Sequence, residues 1–196
     1  MDKNFINNLL NIFINNIIPL TEKNVSLGNK IFGAAILRKS DFSLVVSESN
    51  NEIKNPLWHG EINTIKSFYE LSEAKRPNTK DCFFISSHEP CSLCLSAITW
   101  CGFDNFFFLF PYIDTSKKFN IPHDLKILKE VFNIDNGKYI NENHYWKSYN
   151  INELINNLLE IEKKDLMPAL NTINKLYEIL SKKYQLLKND NIIPLK

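Results

Sequence analysis

The sequence predicts an α/β fold, in which a sheet is flanked by helices and followed by a helical tail. Three observations support this prediction. Residues 3–18 carry apolar side chains at helical spacing. Residues 33–47 show two short apolar runs separated by a polar turn, which is typical of a β-hairpin. Residues 82–110 alternate strand, helix and strand with short connections, which indicates a parallel pair of strands with a right-handed crossover.

Each element follows from a local pattern. The first helix is expected to end near Pro19, because proline interrupts helical hydrogen bonding. The run of apolar side chains in residues 105–110 indicates a strand that is buried on both faces. In chain order the prediction is helix 3–18, strands 33–37 and 42–47, helix 59–71, strand 82–86, helix 91–101, strand 105–110, and helices 125–132, 151–162 and 166–187.

Length and composition indicate one domain of ordinary size. The 196 residues are 44% hydrophobic, and 23 basic side chains balance 22 acidic ones, so no strong attraction to nucleic acid or to membranes is expected. Asparagines interrupt the apolar N-terminal stretch, which excludes a membrane span there and favours a cytoplasmic protein. We expect residues 1–114 to form a catalytic core and residues 115–196 to form a helical extension packed on the same domain.

Two short motifs contain the residues with clear chemical potential. His59 and Glu61 form an H-x-E motif, and Pro90, Cys91 and Cys94 form a P-C-x-x-C motif. Catalytic zinc sites use three nitrogen or sulfur ligands and leave the fourth position to water. Cys91 and Cys94 are three residues apart, so they share one face at the start of a helix. The pattern predicts a zinc ion with His59, Cys91 and Cys94 as its ligands and with the Glu61 side chain aimed at the same pocket.

A C-x-x-C motif alone also occurs in structural zinc sites and in redox pairs. A structural site would need a fourth ligand, for which Cys82 and Cys101 are the available cysteines. Cys82 falls in a predicted strand and Cys101 at the far end of a predicted helix, so both are expected to be small buried apolar side chains. The joint presence of both motifs, each at a predicted helix start, favours a catalytic site.

The two motifs resemble the zinc-binding signature of the cytidine deaminase-like superfamily, and the resemblance covers roughly residues 28–114. The chain is similar to the branch that holds guanine deaminases, yeast-type cytosine deaminases and tRNA adenosine deaminases. The resemblance implies a three-layer α-β-α fold with a mixed sheet of five strands or fewer. It also implies a zinc-dependent hydrolase, with one Zn²⁺ per subunit, that acts on a carbon–nitrogen bond of a cyclic amidine and releases ammonia. In such an enzyme Glu61 would be the catalytic residue that transfers protons.

The same resemblance implies several substrate-binding residues. Phe32, Gly33 and Ala34 are similar to the F-G-A strand of the family, whose backbone lines the base pocket. Asn50 matches the asparagine that precedes the H-x-E motif and binds base or ribose, and Asn51 is its alternative because the interval to the histidine is short.

Four further positions near the motifs carry weaker expectations. Glu89 is similar to the glutamate before the first cysteine in guanine and tRNA adenosine deaminases. Trp58 is expected either to stack on the base or to belong to the core. Asp114 is either a substrate-reading carboxylate or a turn or helix cap. His88 lies beside the metal loop and is expected at the surface or behind the residues that touch the metal, with contact to the substrate as the alternative.

Three functions stay open at this stage. The first is deamination of a small purine or pyrimidine substrate, a base, nucleoside or nucleotide with a guanine- or cytosine-type amine. The second is adenosine-to-inosine deamination of tRNA, which the even charge balance disfavours. The third is a non-catalytic zinc-binding interaction module, which would have no use for Glu61. Because the family commonly forms dimers in which a neighbour helps to close the site, the resemblance also implies a homodimer.

Overall fold

The computed structural model describes residues 1–196 and contains one mixed sheet of five strands in the order β2-β1-β3-β4-β5. Strand β1 is antiparallel to both β2 and β3, whereas β3, β4 and β5 are parallel to one another. The predicted hairpin and the predicted parallel pair are therefore both present. The strands are β1 (Gly33–Arg38), β2 (Leu44–Ser49), β3 (Cys82–His88), β4 (Asn105–Phe110) and β5 (Lys147–Asn150).

Helices cover both faces of the sheet, which confirms the predicted three-layer α-β-α fold. Alternate residues of the central strands enter two separate apolar clusters, for example Phe107 in the first and Phe106 in the second. The first cluster contains side chains of α1, α2, α7 and α8, and the second contains those of α3 and α4. The helices are α1 (Lys3–Ile12), α2 (Ile18–Val25), α3 (Gly60–Glu70), α4 (Ser92–Trp100), α5 (Tyr112–Lys117), α6 (His123–Phe132), α7 (Ile151–Asn156) and α8 (Glu160–Leu187).

The N-terminal helix does not end near Pro19, contrary to the prediction. A π-helical segment at Phe13–Ile17 joins α1 to α2, and the Ile18 N–H donates to the carbonyl of Phe13. This wider turn places Pro19 in the first turn of α2, where a missing N–H is tolerated. The helical path therefore continues to Val25.

The segment after residue 114 contains a strand that the sequence did not predict. β5 (KSYN) is short and polar and pairs only with β4, so it has no period-two apolar pattern. The predicted helix 151–162 ends earlier, at Asn156, and the last helix begins earlier, at Glu160. None of the helices has the length and apolar character that crossing a lipid bilayer requires.

Candidate zinc centre and active site

The starts of two helices bring the predicted zinc ligands together. His59 is the N-cap residue of α3, and Cys91 is the N-cap residue of α4. Cys94 lies in the first turn of α4, on the same side as Cys91. The positive ends of both helix dipoles therefore lie next to the sulfur atoms, which favours thiolates over thiols.

The distances between the three ligand atoms fit a tetrahedral zinc ion. His59 Nδ1 lies 3.4 Å from Cys91 Sγ and 3.7 Å from Cys94 Sγ, and the two sulfur atoms are 3.6 Å apart. Zinc–nitrogen and zinc–sulfur bonds of usual length at tetrahedral angles require about 3.5 Å between nitrogen and sulfur and about 3.8 Å between two sulfurs. The donor set and its spacing therefore suit Zn²⁺.

The other two cysteines do not join this group. Cys82 begins β3 at the end remote from the site, and its thiol donates to the Asn78 carbonyl at 3.3 Å. Cys101 is the C-cap residue of α4. The group of ligands consists of His59, Cys91 and Cys94 alone, as expected for a catalytic site rather than a closed structural one.

The three ligands also shift each other's pKa. Burial opposes charge on His59, but the hydrogen bond to Cys91 and the negative charges of Cys91 and Glu52 raise its pKa to about 9. The hydrogen bond from Cys94 lowers the pKa of Cys91. Burial opposes this shift, but the His59 imidazolium adds to it, so the pKa of Cys91 lies well below its usual value. Burial and the Cys91 thiolate raise the pKa of Cys94. A divalent cation bound here would deprotonate both thiols.

Glu61 is a buried carboxyl group next to the ligands, with only 4% of its surface exposed. One carboxylate oxygen accepts a hydrogen bond from the Ser86 hydroxyl at 2.8 Å, and the other lies 3.3 Å from Cys94 Sγ. Burial and the nearby Cys91 thiolate raise the pKa of Glu61. A carboxyl group with a raised pKa is suited to accepting and returning a proton near neutral pH.

Gly60 allows α3 to begin directly against the sheet. A Cβ atom at this position would lie 2.8 Å from Gly33 Cα and 3.0 Å from the carbonyl carbon of Phe32. Real side chains do not tolerate such contacts, so the close approach of the two backbones requires glycine between His59 and Glu61.

Two adjoining cavities open at the zinc ligands. The larger has a volume of about 270 Å³, and His59 and Cys91 form part of its wall. Residues 193–195, near the C-terminus, form another part of this wall. The smaller cavity is a niche next to Glu61, and we call it the catalytic niche. Its walls are formed by Phe32, His59, Glu61, His88, Glu89, Cys91 and Asp124.

The predicted substrate-binding residues differ in their relation to these cavities. Phe32 lines both cavities and Glu89 lines the catalytic niche. Glu89 also accepts a hydrogen bond from the Tyr112 N–H at 2.9 Å, and burial raises its pKa to about 7. The walls of the two cavities do not include Gly33, Ala34, Asn50, Trp58 or Asp114.

Asn50 is fully buried, and its side chain is already bonded within the protein. Its carbonyl oxygen accepts the Gly60 N–H, and its amide nitrogen donates to Glu52 at 2.6 Å. Trp58 instead lies beneath the Lys66 ammonium, which is 5.4 Å from its ring centroid. The substrate contacts of Asn50 and Trp58 stay predictions.

Sequence reasoning missed a buried ion pair in the cavity wall. The Lys30 ammonium lies 2.6 Å from one Glu52 carboxylate oxygen, and the two side chains are only 6% and 2% exposed. The same oxygen is 3.7 Å from Nε2 of His59. Glu52 thus places a negative charge behind a zinc ligand. Its position within a polar loop gives no periodic signal.

Asp124 is the other missed residue of the site. It lies in the first turn of α6 and lines both cavities, ten residues beyond the predicted Asp114. Burial and the Cys91 thiolate raise its pKa well above the usual value. The signal in the sequence is Pro122 with an acidic residue two positions later, a common helix start that is not specific to an active site.

Replacing Glu52 by Gln is expected to weaken zinc binding about 10- to 100-fold, the usual cost of losing a partner of a metal-bound histidine. The substitution also leaves the Lys30 ammonium buried without its counter-ion, so we expect a lower Tm. Zinc affinity is measured by competition with a chromophoric chelator. Glu70→Gln, in an exposed pair with Lys66, is the control and is expected to change neither quantity. Equal zinc affinity in Glu52→Gln and wild type would contradict the positioning role of Glu52.

Comparison with known proteins identifies the family. The model of the cytidine and deoxycytidylate deaminase zinc-binding region matches residues 11–110, just over half of the chain. This matched range contains the three zinc ligands and Glu61. No match was found among curated proteins.

Comparison with solved structures finds similar proteins at low sequence identity. A guanine deaminase from Nitrosomonas europaea is 16% identical with a TM-score of 0.50, covering 87% of this chain and 81% of that one. A guanine deaminase from Bacillus subtilis is 21% identical with a TM-score of 0.46, covering 65% of this chain and 96% of that one. A structure from a study of A-to-I editing by tRNA:A34 deaminases is 15% identical with a TM-score of 0.47, and the match covers 69% of this chain and 95% of that one.

The family match falls on the residues that form the zinc centre, and the five-stranded mixed sheet with helices on both faces is the cytidine deaminase-like α/β fold. Within the matched range, His59, Cys91 and Cys94 place their ligand atoms within 4.8 Å of one another and could hold the zinc ion. The chain therefore belongs to the family of cytidine and deoxycytidylate deaminases that is defined by this zinc-binding region.

Proposed function

We propose that the protein is a zinc-dependent hydrolase that deaminates a free nucleobase or nucleoside with a guanine- or cytosine-type amine and releases ammonia. The observation that carries the proposal is the position of Glu61, a buried carboxyl group at hydrogen-bonding distance from the ligand Cys94 and in the wall of the catalytic niche. A structural zinc site would not need a carboxyl group there.

The roles of the side chains follow from their positions. When bound by His59, Cys91 and Cys94, zinc lowers the pKa of water and so supplies a nucleophile at neutral pH. Glu61 accepts the proton of the attacking water and passes it to the ring nitrogen next to the reacting carbon. It then takes the proton of the hydroxyl now bonded to that carbon and delivers it to the amine, so that the carbonyl forms as ammonia leaves. The Ser86 hydroxyl holds the Glu61 carboxylate in place for these transfers.

The larger cavity suits a small and uncharged substrate. Its volume of about 270 Å³ lies near the lower end of small-molecule sites, which measure roughly 300–1,000 Å³. Its lysine, Lys30, is neutralised by Glu52 at 2.6 Å, and Asp124 adds a second carboxyl group. A phosphate group would find no unpaired ammonium or guanidinium in this wall, which disfavours nucleotides.

The C-terminal residues favour a small substrate over tRNA. Ile193 is buried, and together with Pro194 and Leu195 it forms one wall of the larger cavity. The backbone carbonyl of Lys196 lies 2.8 Å from Nε2 of His123, which lines the same cavity. A nucleotide within a long RNA chain would have to displace these contacts to reach the zinc ligands.

The test is ammonia release by the zinc-loaded protein from cytosine, guanine, adenine, their nucleosides and 5′-monophosphates, and tRNA. We expect turnover of at least one base or nucleoside with an oxo group. We expect at least about tenfold lower kcat/KM for its 5′-monophosphate, because the phosphate is desolvated without a partner. Glu61→Gln is the control for contaminating deaminases.

Other outcomes would replace the proposal. Deamination of tRNA alone, with strong salt dependence, would establish the tRNA alternative. Absence of ammonia from every substrate, with identical behaviour of Glu61→Gln, would support the non-catalytic zinc module. The homodimer and the cytoplasmic location stay predictions.

A further inference from the structure

His88 is a buried histidine for which the proposed reaction has no use so far. It is the last residue of β3 and is only 2% exposed, so the expectation that it lies at the surface is wrong. Burial lowers its pKa to about 3, which makes the imidazole neutral at pH 7. Four aromatic rings lie with their centroids 4.7–5.4 Å from that of the imidazole: Phe32, Phe110, Phe119 and Tyr177.

The hydrogen bonds around Ser87 are compatible with a His88 imidazole that carries its proton on Nε2. The Ser87 hydroxyl oxygen accepts the Gly33 N–H at 2.9 Å and also lies 2.9 Å from Nδ1 of His88. The hydroxyl proton of Ser87 is then available to Nδ1. A neutral imidazole that accepts at Nδ1 carries its own proton at Nε2.

Nε2 of His88 is a buried polar atom without any partner in the protein. Such atoms are rare in folded proteins, because burial removes a hydrogen bond to water and nothing replaces it. The contact with the Ser87 hydroxyl accounts for Nδ1 of the ring, whereas nothing in the fold accounts for a nitrogen at the Nε2 position.

The place of His88 in the molecule suggests a reason. Its side chain lines the catalytic niche together with His59, Glu61 and Cys91. The niche has a volume of about 10 Å³, which is room for one water-sized group, so a base in the adjoining larger cavity would reach it with a ring substituent and not with the ring itself. The unpaired N–H donor would then meet a hydrogen-bond acceptor of the base.

We propose that His88 is a specificity-determining residue whose Nε2–H donates a hydrogen bond to a carbonyl oxygen of the bound base. Cytosine and guanine each carry an oxo group one ring nitrogen away from the carbon that bears the amine, whereas adenine has none there. The inference rests on the proposed function and refines it, because His88 favours amino-oxo bases over amino bases without the oxo group.

The kinetic test compares His88→Phe and His88→Gln with the wild-type protein, all loaded with zinc. For guanine or cytosine, whichever is turned over, we expect His88→Phe to lower kcat/KM about 10- to 100-fold, mainly through KM. His88→Gln keeps an N–H donor and is expected to retain more activity. The oxo-free analogue, 2-aminopurine or 4-aminopyrimidine, is expected to bind wild type and His88→Phe with equal Kd.

Stability separates this role from a structural one. His88→Phe removes the unpaired Nε2 but also takes the Nδ1 partner from the buried Ser87 hydroxyl, so we expect a modest fall in Tm together with the loss of activity, whereas a structural role would lower the Tm alone. A lower Tm with unchanged kcat/KM would show that His88 supports the fold and would overturn the proposal.

Nitrogen NMR of the histidines tests the proposal without any turnover. The chain has only four histidines, and His88→Gln assigns one of them. We expect His88 to be protonated at Nε2 and its Nε2 resonance to shift when guanine or cytosine is added. A proton on Nδ1, or no shift with either base, would overturn the role of His88. A wild-type protein that binds these bases with that shift but releases no ammonia would overturn the proposed function and leave the inference on His88 standing.

Discussion

Replacing Glu61 by Gln is expected to lower kcat by about 10³-fold or more, in the upper part of the range that general acid–base catalysis supplies. Glutamine has nearly the same shape and can still bond to the Ser86 hydroxyl, but it cannot accept a proton from water. The measurement is ammonia release at saturating substrate, with zinc content determined in parallel.

Zinc content decides how this result is interpreted. Glu61 is not among the three ligands, so Glu61→Gln is expected to keep one zinc per chain. Glu48→Gln is a matched control, since Glu48 bonds to Ser67 on the same helix α3 and lines neither cavity. Full activity in Glu61→Gln, or equal loss in Glu48→Gln, would exclude Glu61 as the proton-transferring residue.

Replacing Cys91 by Ala is expected to abolish activity and to lower zinc affinity by more than about 100-fold, because losing even an outer partner of a ligand costs 10- to 100-fold. Cys91 contacts both other ligands, at 3.4 Å from His59 Nδ1 and 3.6 Å from Cys94 Sγ. The measurements are zinc per chain after dialysis and ammonia release.

Two comparisons distinguish the loss of activity caused by zinc loss from the loss caused by general damage to the protein. Cys101→Ser changes a cysteine outside the site and is expected to keep both zinc and activity. Removing zinc from wild type with a chelator is expected to abolish activity, and adding Zn²⁺ back is expected to restore it. Persistent activity in the metal-free protein would rule out zinc chemistry.

The elements predicted correctly are those with a local physical cause. The strand at residues 105–110 was recognisable because its apolar run is buried on both faces. The zinc centre was recognisable because ligand spacing within each motif is set by a helix start. The continuation of the N-terminal helix past Pro19 could not be predicted, because a π-helical turn of five residues leaves no periodic signal of its own.

The rest of the site depends on contacts between distant parts of the chain. Glu52 bonds to Lys30, 22 residues away, and Asp124 comes from a helix outside the range of the family match. Nothing in the spacing of these residues relates them to the H-x-E or P-C-x-x-C motif. The polar strand β5 was missed for the same reason, because its pairing with β4 is set by tertiary structure.

The late part of the chain supplies β5, α8 and one cavity wall, and this has a consequence for biosynthesis. All three zinc ligands leave the ribosome well before Ile193, by roughly 5–20 s at the usual rates of translation. During that interval the face of the sheet that holds Phe107 lacks its covering helix α8, although the metal ligands are already exposed to the solvent. We propose that residues 1–114 and 115–196 fold as one unit, so that the pocket at the metal ligands is complete only after the last residues of its wall have been made.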